Sequence, residues 1–205
     1  MNTGFFPILQ VIKNNRTWIL LSLVIFGLGF FSFLTSYQAM PHAYVDEFNQ
    51  EAFAFLEYIV EFITQSHPLI GTLLIFINNV ISSFQMLFLG VILGLSPLFT
   101  LLLNGGMLGT ISMQIFEQGT SIWFLLAGIL PHGIPELAAF FLCSSFGLKL
   151  GYHTIVKPLP NKNRGESFKF IWKEIISVLP LVVVLLFIAA FIEIYFTQSL
   201  LETLF

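Results

Sequence analysis

Apolar residues along this chain come in runs of membrane length, separated by short polar intervals. About 20 consecutive apolar residues carry a helix across a bilayer. By that measure the expected spans fall at about 17–36, 68–93, 97–116, 121–146 and 174–197. Residues 62–116 contain no Asp, Glu, Lys or Arg, and Gly94, Ser96 and Pro97 divide that stretch into two helices. Over 42–65 the pattern changes: Phe48, Ala52, Phe55, Tyr58, Ile59 and Phe62 recur at helical spacing, with acids on the other faces. That periodicity predicts an amphipathic helix lying along the membrane surface. The fourth run is unlike the others because Pro131, Gly133 and Pro135 sit near its middle, which predicts a helix interrupted at Pro131–Pro135.

Composition fixes the solvent. Of 205 residues, 57% are hydrophobic, 9% are charged and 25 are Phe, which excludes a soluble globular domain. No alternation of roughly ten-residue strands appears, so a barrel is not expected. The expected fold class is therefore an all-α integral membrane protein, with residues 1–205 forming a single helical domain whose first partner is the lipid bilayer. No nucleic-acid partner is expected. Cys143 is the single cysteine, so there is no disulfide framework. Lys13 and Arg16 before the first apolar run resemble the start of a secretion signal. That run is longer than a signal core and lacks a small-x-small cleavage site, so it is expected to be retained.

Charge placement tests the span count. The eight basic residues are Lys13 and Arg16 before the first span, and Lys149, Lys157, Lys162, Arg164, Lys169 and Lys173 in the interval 147–173. Five spans put all of them on one side, and the positive-inside rule makes that side cytoplasmic. A bacterial cytoplasmic membrane is the expected location, with the N-terminus inside and the C-terminus outside. The other side receives Asp46, Glu47, Glu51, Glu57, Glu61, Glu117 and Glu202, with Glu193 near it. The first five form an acidic outer surface that would cover the bundle, dock a partner or collect cations.

Ionisable groups at membrane depth are costly and usually mark a site. His132 and Glu136 lie inside the fourth span, four residues apart and so on one face of a continuous helix. By helical rise, Asn78, Asn79 and Asn104 lie at a similar depth in the second and third spans. Imidazole, carboxylate and amide oxygen together suit a divalent transition metal such as iron, zinc or manganese. The plainer alternative is that a His and a Glu sharing a proton, with Asn side chains completing the hydrogen bonds, pin the helices together. Gly90 with Gly94, and Gly105, Gly106 and Gly109, are small-residue patches expected to pack helices within one subunit. An enzyme is not expected: there is no HExxH and no GxSxG, and no nucleophile stands beside His132.

The stretch HGIPELAAFFLCSSFGLKLG, His132 to Gly151, resembles the signature of the stage II sporulation protein M family, with its HG-x-x-EL core. Asn78 and the NGG-x-x-G run from Asn104 to Gly109 are similar to the family's other polar positions. The resemblance implies a multi-pass bacterial membrane protein that, in spore formers, belongs to a complex remodelling septal peptidoglycan. It implies peptidoglycan hydrolases or other envelope proteins as partners, and Asn78, Asn104, His132, Gly133 and Glu136 as functional positions. Pro135 is a departure inside the motif that puts an unbroken helix in doubt. Two functions stand at this point. One is a membrane component or scaffold of an envelope-remodelling complex. The other is a divalent metal ion transporter or channel through the His132/Glu136 layer, for which a continuous wet pore would need a homo-oligomer or a rearrangement.

Overall fold

Each helix begins where the sequence offers an end signal. A computed structural model describes residues 7–39, 67–117, 119, 121–197, 199, 200 and 203. Helices α1 (Ile8–Asn14) and α2 (Arg16–Ser36) meet at an elbow at Asn15. Helix α3 (Pro68–Leu89) starts with Pro at its first position, and the His67 ring Nδ1 accepts from the Leu69 N–H at 3.3 Å. A left-handed pair, Leu93 at φ 54° and Gly94 at φ 69°, turns the chain into α4 (Leu95–Glu117). Ser121 caps α5 (Ile122–Gly151), which continues as a π-helical turn, Tyr152–Val156. Helix α6 (Arg164–Ile192) ends in a second π-helical turn, Glu193–Thr197.

The start of α6 is a full capping box: Asn163 Oδ1 accepts from the Glu166 N–H, and Glu166 Oε2 accepts from the Asn163 N–H, both at 2.8 Å. Asn163→Ala should lower stability by about 1 kcal/mol, read as a shift in the denaturation midpoint.

Among the described residues, five helical stretches are long and apolar enough to span: Arg16–Ser36, Pro68–Leu89, Leu95–Glu117, Ile122–Val156 and Arg164–Thr197. The chain is a multi-pass membrane protein. The last two stretches run to 35 and 34 residues, further than the apolar runs alone mark. The basic interval expected over 147–173 therefore shrinks to a connection over 157–163, with Lys149, Lys169 and Lys173 on helices. The amphipathic helix expected over 42–65, with its acids Asp46, Glu47, Glu51, Glu57 and Glu61, lies outside the described residues.

Helix α5 corrects another expectation, because it runs unbroken through Pro131 and Pro135. The reason is the solvent. A break strands up to four N–H and four C=O groups at the new ends, and lipid offers them no partner. Two prolines in a continuous helix leave only the Ala127 and Pro131 carbonyls without their usual donors.

Glycines set the closest approaches. A Cβ at Gly109 would lie 2.5 Å from the Phe30 carbonyl oxygen of α2, and one at Gly105 would overlap the Phe26 carbonyl. At the C-terminal end of α3, a Cβ at Gly90 would lie 2.6 Å from the Gly147 Cα of α5. Both glycine patches thus pack within the chain, as the sequence suggested. Gly105→Val should force α2 and α4 apart and destabilise the fold by about 1–3 kcal/mol, measured by detergent-denaturant titration. The main core lies between α5 and α6, where Leu142, Cys143, Phe146 and Leu150 meet Ile171, Ile175, Val178 and Val182, and α3 adds Met86 and Leu87.

Candidate functional site

Among the described residues, two polar centres lie inside the bundle, toward opposite ends. The first gathers basic-side groups. Lys149 of α5 donates to Asn15 Oδ1 at 2.7 Å and to Glu174 Oε2 of α6, while Asn15 Nδ2 donates to Glu174 Oε1 at 3.0 Å. Only 1% of Asn15, 6% of Lys149 and 4% of Glu174 is exposed, so this is a buried ion pair closed by an amide. It ties the α1–α2 elbow to α5 and α6, and puts the start of α2 at the same end as the α5–α6 connection. At the far end the Tyr37 hydroxyl and Glu117 Oε2 lie 3.0 Å apart, joining the ends of α2 and α4.

The second centre lies on the side away from the basic connection. At 1.5 Å per residue, about 20 Å of α5 separates Glu136 from Lys149, and about 28 Å of α6 separates Glu193 from Glu174. That depth places the centre nearer the acid-bearing end than the middle of the bundle. Continuity of α5 through its prolines keeps His132 and Glu136 one turn apart on one face. The π-helical turn that ends α6 then delivers Glu193 and Thr197 to that face. Ligand atoms of His132, Glu136 and Glu193 all lie within 4.8 Å of one another, and all three residues are half-buried.

Thr197 orients the ring. Its Oγ1 lies 3.2 Å from His132 Nδ1 and 3.4 Å from the Ile192 carbonyl oxygen. With the hydroxyl donating to that carbonyl, its oxygen accepts from Nδ1–H, and Nε2 keeps its lone pair. Thr197 is 7% exposed, so the ring is held by a buried partner. Two carboxylates and an imidazole this close require a shared proton or a cation between them.

A cleft of about 150 Å³ leads to His132 and Glu136, lined by Phe26, Asn104, Ile129 and Phe140 among others. Asn104 thus reaches the site's edge, though its Nδ2 donates to the Thr100 carbonyl at 2.8 Å. Asn78 and Asn79 do not line it: Asn78 is exposed on α3 and Asn79 is half-buried. The single polar layer expected from depth divides, because depth fixes height along the membrane normal but not the direction a helix faces. Glu193 was grouped with the outer acids from sequence. An acid embedded in an otherwise apolar run was the signal that marks it, the same signal that picked out Glu136.

The family model for stage II sporulation protein M matches residues 9–198. An uncharacterized protein of Methanocaldococcus jannaschii is 31% identical over 123 residues, covering 60% of this chain and 68% of that relative. No solved structure matches.

Proposed function

The chain belongs to the stage II sporulation protein M family, and on that premise we propose that it is a non-enzymatic membrane component of a cell-envelope assembly, organised around a divalent-cation site at His132, Glu136 and Glu193. The observation that carries this reading is the convergence of three ligand groups from two helices within 4.8 Å. One imidazole nitrogen and carboxylate oxygens suit Zn²⁺, Mn²⁺ or Fe²⁺ and leave coordination positions for water or a partner's group. The Thr197 contact to the ring is the kind of outer-shell bond that fixes a metal-binding histidine.

A bound cation would fasten α5 to the last turn of α6. It would thereby set the geometry of the bundle end that carries Tyr37 and Glu117, where envelope partners such as peptidoglycan hydrolases would dock. The positive-inside rule puts the basic end in the cytoplasm and this face outside, in a prokaryotic plasma membrane. Orientation is tested by labelling single cysteines at Lys162 and Ser199 in intact cells: only the second should react with an impermeant reagent.

Transport of the same cation is the second reading, favoured by the cleft that opens onto His132 and Glu136. Below the site the bundle is filled by Leu142, Phe146, Leu150, Ile171 and Ile175, which supports a bound, resident ion over a transported one. Proteoliposomes with an internal metal-sensitive dye separate the two readings. The resident-ion reading expects binding without flux; flux that disappears in Glu136→Gln would replace it with a carrier.

A further inference from the structure

Helix α3 carries three uncharged polar side chains, Asn78, Ser82 and Gln85, and all three are exposed. Their spacing of four and then three residues puts them within about 60° of one another around the helix. Among the described residues none of the three side chains makes a hydrogen bond. Around them the exposed surface is apolar: Leu74, Ile77, Ile81, Phe88 and Leu89 are each 40–58% exposed. Because α3 is a membrane span, this face meets hydrocarbon, where a carboxamide without a partner is strongly disfavoured. The stripe is distinct from the cation site, whose cleft contains none of its residues.

We propose that this stripe is a homodimer interface, in which two copies of the chain pair along α3 with Asn78 and Gln85 exchanging amide hydrogen bonds on either side of Ser82. Three features select a second copy as the occupant. A carboxamide is donor and acceptor at once, so Asn against Asn and Gln against Gln are self-complementary. Copies inserted with the same topology run their α3 helices parallel about a two-fold axis along the membrane normal, which brings each residue opposite its own equivalent. The positions 78, 82, 85 and 89 follow the spacing of a left-handed helix pair, and Ser82 supplies the small side chain at the crossing. Polar residues on such a seam fix register, which accounts for amides where apolar groups would be better dissolved in lipid.

The test is disulfide trapping of the full chain in proteoliposomes at high dilution in lipid. Ser82→Cys should oxidise to a species of twice the 23.2 kDa protomer mass. The native Cys143 is 2% exposed and gives the background. Leu73→Cys is the control, being 51% exposed on the far side of α3. It should trap at least ten-fold less. Adding Asn78→Leu and Gln85→Leu to Ser82→Cys should reduce trapping at least ten-fold, with helicity and elution confirming that the variant folds. The proposal is overturned by equal trapping at positions 73 and 82, by trapping that survives loss of both amides, or by monomers at every protein-to-lipid ratio. It is equally overturned if a bifunctional reagent links the thiol of the Ser82→Cys variant to residues 42–65 of its own chain.

Discussion

Glu174→Ala should lower the stability of the folded bundle by about 3–5 kcal/mol, the largest effect expected of any single change in the protein. Removing one partner of a buried ion pair strands the other as an uncompensated charge. Here Lys149, 6% exposed, would keep, among the described residues, only the Asn15 amide oxygen as a hydrogen-bond partner. The pair itself contributes much less than that loss, since desolvating both charges offsets most of their attraction. The double variant Lys149→Met with Glu174→Leu should therefore recover most of the stability. Lys149→Met alone should be nearly as damaging as Glu174→Ala. Denaturant titration of the purified protein in a mild detergent measures all three. Equal loss in the single and double variants would mean that shape, and not charge, holds this end of the bundle.

The second large effect concerns the other polar centre. His132→Ala should remove high-affinity binding of Zn²⁺ or Mn²⁺ altogether, because it deletes the one nitrogen ligand of the His132, Glu136 and Glu193 set. Glu193→Gln keeps the shape and removes a charge, so a large but incomplete loss is expected. Thr197→Val leaves every ligand in place and frees the imidazole from its 3.2 Å contact. Loss of such an outer-shell partner weakens metal binding by about 10–100-fold. Titration calorimetry on detergent-solubilised protein ranks the three. Binding should also weaken as pH falls, since protons compete with the metal for all three ligands. A Thr197→Val affinity equal to that of the native protein would show that the hydroxyl does not orient the ring.

The span count was legible in the sequence because membrane physics acts on long averages: apolar runs near 20 residues and one-sided Lys and Arg leave few alternatives. Local geometry was less legible. Pro131 and Pro135 read as a break, yet lipid favours a continuous helix with two missing donors over two frayed ends. Lys149 read as part of a basic connection, because hydropathy registers a charge as the end of a span and carries no sign of Asn15 and Glu174 waiting in the fold. In the candidate site, His132 and Glu136 were visible as ionisable groups in an apolar run. Glu193 needed the π-helical turn at the end of α6, which no periodicity announces. Asn78 and Asn104 share a depth but not a facing direction, so their separation in space could not be read from rise per residue alone.

X-ray absorption spectroscopy of zinc-loaded protein is the most direct test of the proposed cation site. The expected spectrum has one nitrogen of an imidazole and carboxylate oxygens at about 2.0–2.2 Å, at one ion per chain, with an oxygen ligand lost or replaced by water in Glu193→Gln. A chain that takes up no zinc, or a zinc spectrum identical in native, His132→Ala and Glu193→Gln proteins, would contradict it.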